Sequence, residues 1–192
     1  ILVLLCPLSA AALDKVRLQL KWQPQFQFAG YYAAEAQGYY KKAGLDVEII
    51  ASQPGKDPVQ QVLQGEAEFG VGTTDLLLLR ERGAPVVVLS VIFQHSSRAL
   101  LTLKHDGLQS IHDLSGSRVM IEPGSSELYA YLRKEGISAN DFTLLPHGYH
   151  VKDLLTGNVD AMSTYVTDEP FELISAGKEY LLYFPRSSGI DF

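Results

Sequence analysis

Four short segments of this 192-residue chain gather side chains able to bind or transform a small molecule. The densest is Lys21-Trp22-Gln23-Pro24-Gln25-Phe26-Gln27-Phe28-Ala29-Gly30-Tyr31-Tyr32, which sets the only Trp of the chain among Gln amides and aromatic rings. Flat apolar faces beside amide donors and acceptors suit a planar, polar ring. Phe26, Phe28 and Tyr32 would serve equally well as helix core. Trp22, in a loop at a strand end, is the stronger ligand candidate.

Gly70-Val71-Gly72-Thr73-Thr74-Asp75 reads as a strand-to-helix turn in which Thr73 or Thr74 caps the helix, alone or while also facing a ligand. It lacks the spacing and Lys of a phosphate-binding P-loop. Glu122-Pro123-Gly124-Ser125-Ser126-Glu127 is a similar turn, where Ser125 and Ser126 open a helix whose free N–H groups either are capped or hold a ligand oxygen. In Tyr165-Val166-Thr167-Asp168-Glu169-Pro170, the Glu169 carboxylate is either a favourable first-turn charge or an acceptor for an amino group or ring nitrogen.

Catalytic and metal readings find less support. His95 is followed by Ser96 and Ser97, but the chain has no G-x-S-x-G elbow and no evident orienting acid. His147 and His150 are three apart without an apparent third ligand, so no metal is expected. His105 and His112 read as surface turn residues.

Strand and helix signals alternate around these segments. Strands are expected at residues 16–20, 47–50, 69–71 and 86–91, with helices at 28–37, 58–64 and 75–82 between them. This β-α-β-α-β pattern implies a mostly parallel sheet flanked by helices. A second unit then runs through strands at 99–103, 118–121, 142–145, 161–164 and 181–184. Its helices fall at 111–114, 126–135, 151–155 and 171–175. Two α/β lobes joined near Gln94 to Arg98 would place strand C-ends and helix N-termini where ligands bind.

Composition agrees with a globular protein: 46% of residues are hydrophobic and 20% charged. A net charge of -6 with scattered Lys and Arg argues against nucleic-acid binding. Residues 1–12 run from an apolar stretch into Ser9-Ala10-Ala11-Ala12, the pattern of a clipped signal peptide, with a buried first element as the alternative. Cleavage after Ala12 would remove Cys6, the only cysteine, and leave an exported, thiol-free domain.

Three stretches together resemble a known family. LKWxxQFQFAGYYAAxxxGYYxxAGLDVEI (Leu20 to Ile49), GVGTTDLLLLRERGAPVVVL (Gly70 to Leu89) and GNVDAMSTYVTDEPFEL (Gly157 to Leu173) are similar to the periplasmic solute-binding proteins of the thiamine-pyrimidine-precursor and sulfonate type. The first is the most specific. Gln23-Pro24-Gln25 departs from the more usual Thr-Pro-Asn, and Asp168 stands where Asn is common.

The resemblance implies a type II periplasmic-binding-protein fold, α/β, with two lobes, a ligand cleft and its C-terminal part missing. Residues 13–94 would be the first part of lobe 1, 95–187 lobe 2, and 188–192 the start of the return crossover. Trp22, Gln25, Tyr31, Thr73 and Thr74 would face Gly124, Ser125, Ser126, Tyr165 and Glu169. Trp22 would stack on the ring and Glu169 would read its amino group.

The implied role is capture of a small heteroaromatic ligand in the periplasm for an ABC permease, by a monomer without a cofactor. Two alternatives accompany it. One is the sensor domain of a membrane histidine kinase or diguanylate cyclase, with a fused signalling domain. The other is a thiamine pyrimidine synthase, whose relatives carry a Lys and a His where Gly72 and Leu76 stand here.

Overall fold

A computed structural model describes residues 12–53, 56–105, 107–148 and 150–191. The expected signal segment, apart from Ala12, lies outside the described residues, and Cys6 with it. The chain forms two compact units that divide between Gly72 and Thr73.

The first unit is built on a parallel sheet of order β2-β1-β3, with β1 at Asp14–Gln19, β2 at Leu45–Ile50 and β3 at Phe69–Gly70. A parallel pair needs a crossover, and α1 (Ala29–Ala36), α2 (Tyr39–Lys42) and α3 (Pro58–Leu63) provide them. The start of α3 is encoded locally: Asp57 accepts from the Val59 N–H at 2.8 Å, and Pro58 fills the first helical position. Gly70 suits a close approach, since a Cβ there would lie 3.0 Å from Val62 and 3.1 Å from the Pro58 carbonyl and one of them would have to shift. Leu18, Leu20 and Phe28 form the buried core, with Trp22, Tyr31, Tyr32, Val47, Ile49 and Val71 packed against it.

The second unit opens with α4 (Asp75–Glu81) and carries a mixed sheet of order β6-β5-β7-β4-β8. These strands are β4 (Arg98–Leu103), β5 (Arg118–Met120), β6 (Thr143–Leu145), β7 (Ala161–Tyr165) and β8 (Tyr180–Tyr183). Strand β4 runs antiparallel to both β7 and β8, whereas β5 is parallel to β6 and β7. Every residue of β7 is buried, as expected of an inner strand.

Helix α5 (Ser126–Lys134) shows how pattern becomes packing. Leu128, Tyr131 and Leu132 recur at i, i+3 and i+4 and are all buried. Glu127 in its first turn and Arg133 and Lys134 in its last complement the helix dipole. Helices α6 (Lys152–Leu155) and α7 (Glu169–Ser175) complete the unit. Among the described residues, no helix is long and apolar enough to cross a membrane.

One expected element does not form. Residues 86–91 were expected to be a buried strand, but the segment is irregular, and Val87, Val88, Leu89 and Val91 are exposed, followed by exposed Ile92 and Phe93. A strand needs a ladder partner, and no described strand pairs with this segment.

Candidate functional site

The candidate residues fall into two groups, one in each unit. In the first, β1 ends in Gln19, a buried amide whose Nε2 donates to the backbone carbonyls of Leu20, Ile50 and Ala51 at 2.9, 3.3 and 3.2 Å. This ties down the chain where it leaves the sheet. Gln23 adds a second clasp through Nε2 to the Ser52 carbonyl at 2.7 Å. Trp22 is half-buried against the Leu18–Leu20–Phe28 core.

Gln25 is extended and opens a 3-10 turn over Phe26–Phe28. Its Oε1 accepts from Gln27 Nε2 at 3.2 Å. Phe28 is core at 2% exposure, while Phe26 is 82% exposed, so the two rings separate into packing and surface roles. Tyr31 packs on the same core, and burial raises its phenol pKa. Thus Trp22, Gln23, Gln25 and Gln27 all follow the C-terminal end of a parallel strand, where open α/β sheets bind ligands.

The second unit holds Thr73, Thr74, Gly124, Ser125, Ser126, Tyr165 and Glu169, and three of them, Gly124, Ser125 and Tyr165, contact a buried residue that the sequence does not single out. Arg98, at the start of β4, is 2% exposed. Its Nη1 donates to the Gly124 carbonyl at 2.8 Å and to Ser125 Oγ. Its Nη2 donates to Glu122 Oε2 at 2.8 Å and to the Tyr165 hydroxyl, and the guanidinium carbon lies 5.0 Å from the Tyr165 ring centre. Glu127 Oε1 stands 3.6 Å from Arg98 Nε. Burial works against the Arg98 charge, but Tyr165, Glu122 and Glu127 outweigh it, so the guanidinium pKa is raised.

Around this cation the two expected turns meet. Thr74 Oγ1 donates to Glu127 Oε2 at 3.2 Å, and the Ser126 N–H donates to Asp75 Oδ1 at 3.4 Å. Thr73 Oγ1 accepts from the Asp75 N–H at 3.4 Å, so Thr73 does the local capping, while the Thr74 side chain makes no cap bond. Ser125 Oγ donates to the Glu122 carbonyl. Gly124 has φ +76°, in the left-handed region where a side chain is strained, and a Cβ there would also approach Asp75 and Thr73.

Glu169 is buried at 6% exposure, and its Oε2 accepts from Thr164 Oγ1 at 2.8 Å and from the Tyr165 N–H at 2.9 Å. Desolvation raises its pKa against those bonds. Desolvation likewise raises the Tyr165 phenol far above its ordinary value, so it stays neutral.

His147 joins the same region rather than a pair with His150. Its Nε2 is 3.1 Å from Ser163 Oγ, which also accepts from the Glu122 N–H at 2.8 Å. Burial first, and Arg98 second, push the imidazole down to about 4, against opposing effects of Ser163 and Asp153. The folded pKa is therefore below the unfolded one. Stability from the neutral ring is full above about 6.5 and lost as pH falls toward 4. Glu169, whose pKa is raised, contributes with the opposite sign. Urea titrations of wild type and His147→Gln at pH 7.5 and 4.5 are expected to show the smaller acid loss in the variant; equal losses would remove His147 as the cause.

The catalytic and metal readings gain nothing from the geometry. His95 Nδ1 does find an acid, Asp191 Oδ1 at 3.0 Å, which the sequence did not reveal. However, Ser96 Oγ donates to Glu127 at 3.4 Å and accepts from the Arg98 N–H at 3.2 Å. Among the described residues, no group of three or more His, Cys, Asp or Glu side chains could hold a metal ion. Arg98 is the residue of this region that the sequence does not single out; Glu127 stands there only as part of its turn and His147 only as a metal candidate. The available signal was Arg98 standing directly before the apolar run Ala99-Leu100-Leu101, which implies burial of its charge.

Comparison with known proteins supplies the family. The chain is 29% identical over 182 residues to the riboflavin-binding protein RibY of Chloroflexus aurantiacus, covering 90% of this chain and 52% of that one. It is 26% identical over 153 residues to the 4-amino-5-hydroxymethyl-2-methylpyrimidine phosphate synthase THI13 of Saccharomyces cerevisiae, covering 77% and 45%. The structure of the periplasmic aliphatic sulphonate binding protein SsuA from Escherichia coli superposes with a TM-score of 0.64 at 20% identity, covering 88% of this chain and 59% of that one. The chain spans about half the length of the relatives it matches. Its fold is the two-lobe α/β fold of the periplasmic binding proteins. The profile of the NMT1/THI5 like family matches residues 25–192, and the chain belongs to that family.

Proposed function

We propose that this chain is the ligand-binding part of an extracytoplasmic solute-binding protein that captures a small nitrogen heteroaromatic, such as a thiamine pyrimidine precursor, for an ABC permease. The observation that carries the reading is the cluster of one indole and several carboxamides after β1, on a half-buried Trp22 anchored to the core. Indole and amide together suit a flat ring whose edge carries both donors and acceptors. The names of two relatives, a riboflavin-binding protein and a pyrimidine phosphate synthase, point to the same ligand chemistry.

In this reading residues 13–94 and 95–187 are the two lobes, and 188–192 begin the return between them. Trp22 stacks on the ring, with Gln25 and Tyr31 beside it. Thr73 and Thr74 join that first-lobe set, and Gly124, Ser125, Ser126, Tyr165 and Glu169 are the second lobe's candidates, with Gly124, Ser125 and Tyr165 bonded to Arg98. Ligand contacts made to both lobes favour the closed population.

A thermal-shift panel on the full-length protein tests this. A ligand at 100 times its Kd adds about 2.7 kcal/mol, or roughly 3–5 °C for a protein about twice the length of this chain. Riboflavin or 4-amino-5-hydroxymethyl-2-methylpyrimidine is expected to give such a shift. A shift with alkanesulfonates alone would replace the ligand class, and no shift across the panel would overturn it.

A further inference from the structure

One large apolar surface of the second unit is left uncovered by the described residues. Helix α4 carries four consecutive leucines, Leu76 to Leu79, yet none of its residues is buried. Leu77 and Leu78 are exposed, and so is every large apolar side chain from Val87 to Phe93. A groove of about 250 Å³ joins the two stretches, lined by Leu76, Leu77, Arg80, Val86, Val87 and Val88. A contiguous apolar patch of this kind marks a surface that another element covers.

The backbone shows what kind of cover it takes. Ala84 to Val91 run without a turn or bend, and an extended run of that length reaches about 26 Å, enough for a strand. The Val86 N–H donates to the Ala84 carbonyl, but the N–H groups of residues 87–93 donate to no described residue. Near-continuous Val and Leu is the pattern of a strand covered on both faces. The segment therefore has the composition and the free backbone of a strand and lacks only a ladder neighbour.

Two observations point to that neighbour. Asp191 Oδ1 lies 3.0 Å from His95 Nδ1, and Asp191 Oδ2 lies 3.3 Å from Arg186 Nε. His95 stands just past Phe93, so any chain that follows Phe192 starts beside the end of the apolar run. The chain also covers only 52% of RibY and 45% of THI13, so about half of each relative has no counterpart here. A tethered segment acts at an effective concentration of about millimolar, which a separate molecule does not reach. Pairing with a second copy would, in addition, leave each run with one open edge.

We propose that a β-strand from the chain following Phe192 in the full-length protein pairs alongside Val86 to Val91, and that this part of the chain covers the leucines of α4. The proposal is independent of the ligand.

Hydrogen–deuterium exchange of the full-length protein reads the backbone directly. The amides of residues 87–91 are expected to exchange about 100-fold or more slower than in an unfolded peptide. Exchange near the unfolded rate overturns the proposal, and so does protection that fades on dilution, which would assign the cover to a second copy. Photo-crosslinking from Leu89→p-benzoylphenylalanine, and from Ser90→p-benzoylphenylalanine as a second position, identifies the neighbour by mass spectrometry. A link to a peptide beyond Phe192 in the same molecule is the expected result. A link to residues 1–192 or to another copy overturns the proposal.

Discussion

Arg98→Met is expected to lower unfolding stability by about 3–5 kcal/mol, a cost set by the partners it strands rather than by the area it removes. Arg98, Glu122 and Glu127 have side-chain exposures of 2%, 14% and 5%. Removing the guanidinium leaves two carboxylates facing one another in a poorly hydrated site. It also removes the donor that meets the Gly124 carbonyl and the Tyr165 and Ser125 hydroxyls.

Arg98→Lys is expected to recover only part of the loss, because one ammonium cannot reproduce a planar fork that meets Gly124, Ser125, Glu122 and Tyr165 together. Adding Glu127→Gln to Arg98→Met is expected to restore some stability by deleting one stranded charge. Urea midpoints at pH 7 measure all three. A loss below about 1 kcal/mol for Arg98→Met would mean the site hydrates readily and the cluster is not a structural centre.

Trp22→Ala is expected to weaken ligand binding by about 10- to 100-fold, the range given by removing an aromatic platform worth about 1–3 kcal/mol per stacked base. Because Trp22 also packs on Leu18, Leu20 and Phe28, some stability is lost as well. Trp22→Phe separates the two effects: it keeps a flat face and is expected to retain most of the affinity. Fluorescence or calorimetric titration of the three proteins decides the matter. Equal affinity in wild type and Trp22→Ala would remove Trp22 from the site.

Most of the fold was readable because its signals are local. The apolar run within β4, the i, i+3, i+4 spacing of Leu128, Tyr131 and Leu132, and Pro58 behind Asp57 each specify their element without reference to distant residues. Val86 to Val91 misled because strand composition does not guarantee a ladder neighbour.

The site divides along the same line. Turns rich in Gly, Ser and Thr announced Gly124, Ser125, Thr73 and Thr74. What those turns hold together was hidden, because the Arg98 bonds span 24 to 67 residues of sequence. Glu169 showed the opposite problem: its position was legible, but its inward bonds to Thr164 and Tyr165 were not.

Isothermal titration of the full-length protein with 4-amino-5-hydroxymethyl-2-methylpyrimidine and with riboflavin tests the central claim most directly. Saturable 1:1 binding of at least one, with Kd about 1 μM or tighter, corresponding to about -8 kcal/mol, is the expected result. No saturable heat with either heterocycle, in a protein that unfolds cooperatively, would contradict the claim.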